Sequence, residues 1–289
     1  MTDLLAKYKF DLTSNEIDHI IKNVEGYLSN WIDNSRLTKC LNCIDLTSLH
    51  SADTPAKIKK MAEKVNKLNE TFPDYPKPAS ICVYPNFAET VKSTLTGSDV
   101  HVTVVGGCFP ASQSFLEVKV LECKKAVEEG ADEVDIVLAL NKFLAKDYEG
   151  AFNEIKTIKE AIGDKTLKVI LETGALLSIE SIAAASFLAM EAGADFIKTS
   201  TGKLEPSATP MAAIVMCQAI KLYYQKTGRK VGFKPAGGIS TCEEAIAYYM
   251  IVDNILGEEW LNKGLFRIGA SRLANNILSK LQDSRVSYF

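Results

Sequence analysis

The sequence predicts an α/β protein folded as a single (β/α)8 barrel, that is, a TIM barrel. Eight short apolar segments alternate with longer segments of helical periodicity, a pattern typical of parallel β/α units. Two stretches, Glu128–Asp132 and Met190–Asp195, are near copies in which a helical pattern ends on a glycine and an apolar segment begins at once. Eight strands, each followed by a helix, is the number that closes a barrel.

The candidate strands and helices follow one another along the chain. The strand candidates are Lys39–Asp45, Ser80–Tyr84, Val100–Val105, Glu133–Leu138, Leu167–Glu172, Asp195–Thr199, Val231–Pro235 and Phe266–Gly269. They are rich in valine and isoleucine without strict alternation, as expected of strands whose outer face is covered by helices. The helical patterns between them include Pro55–Phe72, Ser112–Glu129, Tyr148–Ile162, Ile179–Glu191, Thr209–Lys226 and Thr241–Asn254.

The barrel is expected to occupy residues 39–280 of a single domain, with an N-terminal helical extension at 1–38 and a tail at 281–289. Thr13 and Glu16 have the spacing of a capping box, and apolar residues repeat helically after them. We therefore expect one helix in this extension, covering the bottom of the barrel.

Composition limits the partners of the chain. With 33 Lys and Arg against 36 Asp and Glu, the formal net charge of -3 does not favour nucleic-acid binding, whereas a small phosphorylated ligand needs only a local cluster of donors. The first twelve residues lack the apolar core of a signal peptide, and no apolar run is long enough for a membrane span. The seven cysteines, an odd number, indicate reduced thiols and a cytoplasmic location. The assembly state stays open, a homodimer being one option.

Cys40 and Cys43 have the C-x-x-C spacing within the first predicted strand. Residues three apart on a strand face opposite sides, and no second pair follows at zinc-finger spacing. Two ordinary buried cysteines are the favoured interpretation, and a redox or zinc role is the alternative.

Two lysines and a carboxylate occur late in predicted strands, at the end where the active site of this fold lies. Lys198 and Lys234 fall on the sixth and seventh strands, which are neighbours around the barrel, and Asp135 falls on the fourth. At about 4 Å and an effective dielectric near 20, repulsion of about 4 kcal/mol would lower the pKa of one lysine by roughly three pH units. A neutral amine can attack a carbonyl, and Asp135 could orient the lysines and relay protons. These residues therefore indicate an imine-forming enzyme.

Asp45, Lys168 and Glu172 are further charged residues within apolar strand patterns. Burying an uncompensated charge is costly, so such residues are nearly always paired or functional. A structural ion pair is the alternative for any one of them, but a set that converges on one barrel favours a polar network at an active site.

Glycine-containing loops follow the last three predicted strands. Backbone N–H groups at such glycines and at helix N-termini can bind an anion, and the loops after strands seven and eight are the usual phosphate site of this fold. The candidate phosphate-binding residues are Thr201, Gly202, Lys203, Gly237, Gly238, Gly269 and Ser271. Each loop alone is weak support because turns also need glycine, but the three together predict a phosphorylated ligand.

The remaining reactive residues carry less information. His19, His50 and His101 match no ligand spacing and are expected to be surface or hydrogen-bonded core residues. Cys82 is expected near the site, but nothing marks it as a nucleophile. No metal site and no cofactor are predicted.

Several segments resemble the deoxyribose-phosphate aldolases in order and spacing, over roughly residues 39–280. They are Asp45–Thr47, Ile81–Pro85, Gly130–Asp135, Leu167–Gly174, Gly193–Lys203 and Val231–Gly238. The long run around Lys198 is highly specific to that family. The resemblance implies a metal-free class I aldolase that interconverts 2-deoxy-D-ribose 5-phosphate with glyceraldehyde 3-phosphate and acetaldehyde.

The resemblance also implies roles for the candidate residues. Lys198 would form the Schiff base, and Lys234 would lower its pKa. Asp135 would relay protons, while Asp45 and Lys168 would complete the polar network. The glycine loops and Lys203 would hold the 5-phosphate.

The chain departs from the family pattern beside the phosphate loops. Ser240 stands where many members carry Arg, and Arg272 stands where many carry Ser or Thr. The helix dipole disfavours a cation in the first turn of a helix by up to about 1 kcal/mol, so we expect Arg272 to bind the phosphate. A solvent-facing Arg, or one paired with an acid, is the alternative. Many members end in a Tyr that reaches the site; Tyr288 could serve, although Phe289 follows it.

Two other functions stay open on these residues. One is a Schiff-base barrel aldolase for a different phosphorylated sugar, which substrate profiling would separate. The other is an inactive aldolase-like binding protein, which a catalytic assay would separate.

Overall fold

The structure, a computed structural model, describes residues 2–289, and eight parallel strands form a barrel within them. The strands are β1 Ile44–Thr47, β2 Ser80–Val83, β3 His101–Gly106, β4 Glu133–Val137, β5 Thr166–Ile170, β6 Phe196–Lys198, β7 Gly232–Lys234 and β8 Ile268–Ala270. Each pairs with the next in sequence from β1 to β7, and β8 pairs with β1. Hydrogen bonds from Arg267 N to Phe233 O and from Gly269 N to Pro235 O join β8 to β7. The predicted (β/α)8 barrel is confirmed.

Helices surround the barrel and precede it. They are α1 Thr2–Tyr8, α2 Ser14–Trp31, α3 Asn34–Asn42, α4 Pro55–Asn66, α5 Leu68–Thr71, α6 Ala88–Thr94, α7 Leu116–Glu128, α8 Leu140–Leu144, α9 Tyr148–Ile162, α10 Thr173–Leu176, α11 Ile179–Glu191, α12 Pro210–Thr227, α13 Cys242–Leu256 and α14 Leu273–Leu281, with 3₁₀ turns at Pro85–Phe87 and Glu258–Trp260. Threonine side chains cap several of them; Thr54, Thr209 and Thr241 each accept the N–H three residues on. None of the helices described in residues 2–289 is both long and apolar enough to cross a membrane.

The first predicted strand is wrong over most of its length. The structure forms α3 there, because Asp33 accepts the N–H of Arg36 and starts a helix, and Leu37, Cys40 and Leu41 are then buried at helical spacing. The strand β1 begins only at Ile44.

The C-x-x-C pair lies at the end of that helix. Cys40 is within α3 and Cys43 is its C-cap, and both are buried free thiols. Burial raises the pKa of Cys43 to about 12. Both cysteines are buried, as the favoured interpretation expected, but they do not lie in a strand.

The N-terminal segment also differs from expectation. The predicted capping box is present, since Thr13 N donates to the Glu16 carboxylate at 2.8 Å and Glu16 N donates to the Thr13 hydroxyl. However, the segment holds three helices, and α2 packs along α12 and α13 instead of covering the bottom of the barrel. Residues 212–217 of α12 are all buried, which means that the side of α12 facing away from the barrel is also covered. Helix α2 packs against this helix.

The C-terminal tail folds back along α14. Tyr288 N donates to the Asn275 side chain at 2.9 Å, and the Tyr288 hydroxyl donates to Lys64 O at 2.7 Å on α4. The Tyr288 ring packs edge-on against Phe72. The structure therefore places Tyr288 on the outside of the barrel.

Candidate active site

Seven charged side chains lie inside the barrel, and none is more than 4% exposed. They are Asp45, Glu133, Asp135, Lys168, Lys198, Lys234 and Arg267. The period of two along a strand turns alternate residues inward, and the register sets Lys198 beside Lys234 and Asp135 beside Lys168. The barrel thus gathers onto one axis charges that lie more than two hundred residues apart in the chain.

Asp135 lies at the centre of the upper part of this cluster. Its Oδ2 accepts from Lys198 Nζ at 2.9 Å and from Lys234 Nζ at 2.8 Å. Its Oδ1 accepts from Lys168 Nζ at 2.9 Å. Lys234 also pairs with Asp45. The two lysines on neighbouring strands therefore share one carboxylate oxygen.

Glu133 and Arg267 form the lower part of the cluster. Arg267 Nη2 donates to Glu133 Oε1 at 2.8 Å, and its Nη1 donates to Asp45 Oδ1 at 2.6 Å. Two hydroxyl groups also donate to these carboxylates: Ser80 donates to Asp45 at 2.7 Å, and Thr103 donates to Glu133 at 2.8 Å. Every carboxylate in the interior therefore has at least two donors.

The three interior lysines differ in the direction of their pKa shift. Burial lowers the pKa of Lys198, and the Lys234 charge lowers it further, against the opposing effect of Asp135. Burial also acts to lower the pKa of Lys168 and Lys234, but there the carboxylates outweigh it and the pKa is raised. The number of carboxylate partners explains the contrast, because Lys198 contacts Asp135 alone whereas Lys234 contacts Asp45 as well. The favoured neutral amine is thus on Lys198.

The carboxylates are held ionised by the same contacts. Burial alone would raise the pKa of Asp45 and Asp135, but the surrounding cations hold both well below the ordinary range. With Lys198 neutral, three carboxylates face three cations. A buried cluster tolerates charge only when it is compensated, so this count also favours a neutral Lys198.

A cavity of about 200 Å³ opens above the cluster, at the carboxyl ends of the strands. It is lined by Thr47, Leu49, His50, Lys198, Thr201, Gly202, Lys203, Ala236, Gly237, Gly238, Ile239, Ser240, Gly269, Ala270, Ser271 and Arg272. Lys198 is the interior lysine that reaches this cavity, while Lys168 and Lys234 lie beneath it. The structure brings all the predicted phosphate-binding residues together with Lys198 around this one cavity.

The loops around the cavity leave backbone donors free. The N–H groups of Gly202, Gly238 and Ser271 donate to no acceptor within residues 2–289. Gly202 and Gly237 have positive φ, and a Cβ on Gly237 would lie 3.3 Å from Gly202 Cα and 2.6 Å from Ser207 Cβ. Free N–H groups at such turns form an anion-binding surface.

Glu172 shapes the loop after β6. It adopts a left-handed backbone at φ 54 and accepts from Thr201 N at 3.0 Å and from the Thr201 hydroxyl at 2.6 Å. Thr201 Oγ1 in turn accepts from Lys203 N, and Lys203 Nζ donates to Leu49 O at 2.7 Å. Thr201 and Lys203 thus line the cavity and also tie its walls together.

Three polar residues lie at the outer end of the cavity. Arg272 is exposed, forms no ion pair with any residue between 2 and 289, and is the N-cap of α14. Ser240 N donates to Glu244 at 2.8 Å. His50 N donates to Asp53 at 3.0 Å, which fixes the loop that presents the imidazole. His50 is a surface residue, as expected, and it also lines the cavity.

Cys82 lies behind the cavity wall. It is fully buried and packs with Leu49 and Val105 in a small apolar cluster that Tyr84 and Phe109 extend. Burial raises the pKa of its thiol. The structure thus places Cys82 next to the site but not on its surface.

Three residues of the site were not identified as functional candidates from the sequence: Glu133, Arg267 and His50. Glu133 and Arg267 are charged residues inside predicted strands, which is the signal that identified Lys198. They lie early in their strands, whereas only the late ends of the strands were considered as site positions. His50 has no such signal. No cluster of three or more His, Cys, Asp and Glu side chains suited to a metal ion occurs in the part of the chain that the structure describes.

Comparisons with known proteins agree on one family. A family model described as DeoC/LacD family aldolase matches residues 39–257. A Caenorhabditis elegans protein is 42% identical over 273 residues, which cover 94% of this chain and 90% of that one. Human deoxyribose-phosphate aldolase is 40% identical over 251 residues, which cover 83% of this chain and 79% of the human chain.

A solved structure agrees in fold. The tetrameric deoxyribose phosphate aldolase from Aeropyrum pernix is similar with a TM-score of 0.67 over 93% of this chain and 98% of that chain, at 21% identity. This likeness supports the barrel alone, whereas the family model and the sequence relatives cover most of the chain. The chain belongs to the DeoC/LacD family of aldolases.

Proposed function

We propose that this protein is a class I deoxyribose-phosphate aldolase, which reversibly cleaves 2-deoxy-D-ribose 5-phosphate to D-glyceraldehyde 3-phosphate and acetaldehyde. One observation carries the proposal: Lys198, whose pKa is lowered, is the interior lysine that lines a cavity walled by anion-binding loops. A neutral amine is what attack on a carbonyl needs. The name of the human relative supports the choice of substrate.

The reaction begins at the Lys198 amine. Nζ attacks C1 of the open-chain sugar, and loss of water gives a protonated imine. A base removes the proton of the C3 hydroxyl, the C2–C3 bond breaks, and its electron pair passes to the imine to give an enamine. Glyceraldehyde 3-phosphate leaves, C2 takes a proton, and water hydrolyses the new imine to acetaldehyde and free Lys198. The imine lowers the barrier because C2 departs as an enamine and not as an unstabilised carbanion.

The charged residues below Lys198 keep it reactive. Lys234 supplies the positive charge that lowers the pKa of Lys198, and Asp135 bridges the two amines. We assign proton relay to Asp135, through a water, because it is the carboxylate nearest the reacting amine. Asp45 and Lys168 hold Lys234 and Asp135 in place.

The outer end of the cavity is assigned to the 5-phosphate. Free N–H groups of Gly202, Gly238 and Ser271 would donate to its oxygens, as backbone amides do at other anion sites. Arg272 would add a charged contact, since it has no acidic partner among the described residues. The Lys203 ammonium would exchange Leu49 O for phosphate. Five of the eight predicted phosphate-binding residues, Gly202, Lys203, Gly238, Ser271 and Arg272, thus have an assigned contact in the proposal.

The setting of the enzyme follows from this reaction. A substrate of this kind arises from deoxyribonucleotide breakdown, and we propose a catabolic role in the cytoplasm. The seven free thiols support a reducing compartment. The partner is a small phosphorylated sugar, and a cofactor is not required because the imine itself is the electron sink.

The test is to trap the imine and locate it. Sodium borohydride added with acetaldehyde should fix one adduct, and peptide mass mapping should place it on Lys198. An adduct on Lys234 or Lys203 would contradict the assigned roles. Trapping should survive EDTA.

A substrate panel completes the test. Fast release of acetaldehyde from 2-deoxyribose 5-phosphate supports the proposed substrate. Trapping on Lys198 with turnover of a different phosphorylated sugar would keep the chemistry and overturn the substrate. The absence of both trapping and turnover would point to a binding protein.

A further inference from the structure

Arg267 lies at the amino end of the barrel, opposite the cavity. It immediately precedes β8 and is 3% exposed, whereas the cavity opens at the carboxyl ends of the strands. Its hydrogen-bond acceptors are Asp45, Glu133 and the Lys263 carbonyl, and none of these residues lines the cavity. Any part that Arg267 plays in the reaction must therefore be transmitted through other residues.

A continuous series of contacts joins Arg267 to the Lys198 amine. Arg267 Nη1 donates to Asp45 Oδ1 at 2.6 Å, and the other Asp45 oxygen pairs with Lys234. Lys234 Nζ and Lys198 Nζ both donate to Asp135 Oδ2, at 2.8 Å and 2.9 Å. All five side chains are buried, so solvent and salt screen these charges much less than they screen charges on the surface. Because Asp45 is shared with Arg267, less of its charge is left to offset Lys234 beside Lys198.

The charges of the interior balance only if one basic residue is neutral. Four basic residues face three carboxylates: Arg267, Lys168, Lys198 and Lys234 against Asp45, Glu133 and Asp135. A guanidinium stays protonated in proteins, whereas a buried lysine can lose its proton. Lys198 has one carboxylate partner, the fewest of the three lysines, so its proton is the surplus charge. Without Arg267, three lysines would face three carboxylates, and the balance would require Lys198 to be charged.

Two further titratable groups adjoin this series of contacts. His101 on β3 is half-buried, and its Nδ1 lies 2.7 Å from Glu133 Oε1. An imidazole is mostly neutral above about pH 7.5, so above that pH the balance does not include it. Cys82 on β2 interacts electrostatically with Lys198, and burial raises the pKa of its thiol, which keeps the thiol neutral. The charge balance above that pH therefore depends on the interior carboxylates, lysines and Arg267 alone.

We propose that Arg267 is a positioning residue of the reaction: its permanent charge, transmitted through Asp45 and Lys234, favours the neutral form of the Lys198 amine. The inference rests on the Schiff-base chemistry proposed for Lys198. A purely structural role is the alternative, in which Arg267 stabilises the barrel and its charge has no effect on the amine. The two roles can be distinguished, because only the first makes the pH dependence of imine formation depend on Arg267.

The test is the rate of borohydride trapping of acetaldehyde on Lys198, measured above about pH 7.5. In Arg267→Met the pH profile should move upward and trapping at the lower end of this range should slow severalfold, because loss of a nearby cation favours protonated Lys198. Arg267→Lys keeps the charge, so its profile should stay close to that of the unchanged protein. Arg229→Met is the matched control. Arg229 is partly exposed and pairs with Asp195 at 3.1 Å just before β6, so its loss should affect stability and leave the profile in place.

A charge-balance cycle separates the two roles more sharply. Glu133→Gln removes one carboxylate and should move the profile to lower pH. Glu133→Gln combined with Arg267→Met removes one charge of each sign and should return the profile close to that of the unchanged protein. A structural role does not predict this return, because the double variant lacks more contacts than either single variant.

The outcomes separate this inference from the proposed function. An unchanged profile in Arg267→Met, or a double variant that stays shifted as far as Arg267→Met, would overturn the inference and leave the proposed function intact. If the unchanged protein traps no acetaldehyde on Lys198, the proposed function itself fails. Circular dichroism identifies variants that do not fold. If Arg267→Met is one of them, the double variant is compared with Glu133→Gln, and the absence of an upward shift between those two overturns the inference.

Discussion

Polar groups in the barrel interior have hydrogen-bonding or charged partners, whereas several polar groups in the loops above it have none among the described residues. Inside, Asp45, Glu133 and Arg267 are almost fully buried and satisfied by charged partners and hydroxyls. In the loops, backbone N–H groups are left free, and the buried side-chain oxygens that lack a partner in residues 2–289, those of Thr173 and Ser200, follow β5 and β6.

This difference separates two tasks. A compensated interior is stable without a ligand and sets the direction of the pKa shift of the one amine that reaches the cavity. The free donors in the loops are available to an anion, and their role is binding and not stability. Changes in the interior should therefore affect catalysis and folding, whereas changes at the loops should affect the phosphorylated substrate alone.

The largest effect is expected from Lys198→Ala. We expect kcat/KM to fall by at least about 10⁴-fold, since the nucleophile is lost. The free energy of unfolding should change little, because three carboxylates still face three cations. Lys168→Ala is the matched control and should destabilise the fold by leaving a buried carboxylate in excess. Urea unfolding of both variants checks this; equal stability losses would contradict a neutral Lys198.

Arg267→Met should lower the free energy of unfolding, because the buried charged cluster stabilises the fold. Removing one partner of a buried pair costs about 3–5 kcal/mol, and here both Glu133 and Asp45 lose a donor. Urea unfolding measures the loss. Lys125→Met, which removes an exposed pair, should leave stability nearly unchanged. An Arg267→Met protein as stable as the unchanged one would mean that water replaces the guanidinium.

Lys234→Met should shift the pH dependence of imine formation upward. The sign follows from the contacts: the Lys234 cation lowers the pKa of Lys198, so its removal raises that pKa and less neutral amine is present at a given pH. Rates of borohydride trapping across pH measure the shift. An unchanged profile would show that burial alone tunes Lys198.

Arg272→Ala tests the role of the loops above the barrel. Loss of a charge-assisted contact should cost roughly 1.5–3 kcal/mol in kcat/KM for deoxyribose 5-phosphate and nothing for unphosphorylated deoxyribose. The free energy of unfolding should stay the same or rise by up to about 1 kcal/mol, since the Arg272 side chain has no partner in the described chain and the helix dipole disfavours a cation there. Equal small losses on both substrates would leave Arg272 as a surface residue.

His50→Ala should give the smallest effect. The imidazole lines the phosphate end of the cavity, so a single hydrogen bond worth about 0.5–1.5 kcal/mol should be lost from kcat/KM for the phosphorylated sugar. His19→Ala on α2, an exposed histidine outside the cavity, is the control and should change nothing. If both variants behave alike, His50 does not contact the substrate.

Most of the fold was predictable because it depends on local patterns. Strand and helix order within the barrel follows from periodicity. Of the eight predicted strands only the first was largely wrong, because Asp33 starts a helix through an apolar segment too short to distinguish from a strand. The single helix expected in the N-terminal segment was also wrong, since three helices lie there. The position of α2 was not predictable, since it depends on which outer surface of the barrel remains apolar.

Local sequence patterns specified which residues face inward at the late ends of the strands, and hence that Lys198, Lys234 and Asp135 would meet. They also specified the glycine loops that surround one cavity. Which lysine has the lowered pKa depends on the folded structure, because the pKa depends on how many carboxylates surround each amine. Those carboxylates come from β1 and β4, far from Lys198 in sequence, and their distances exist only once the barrel has closed.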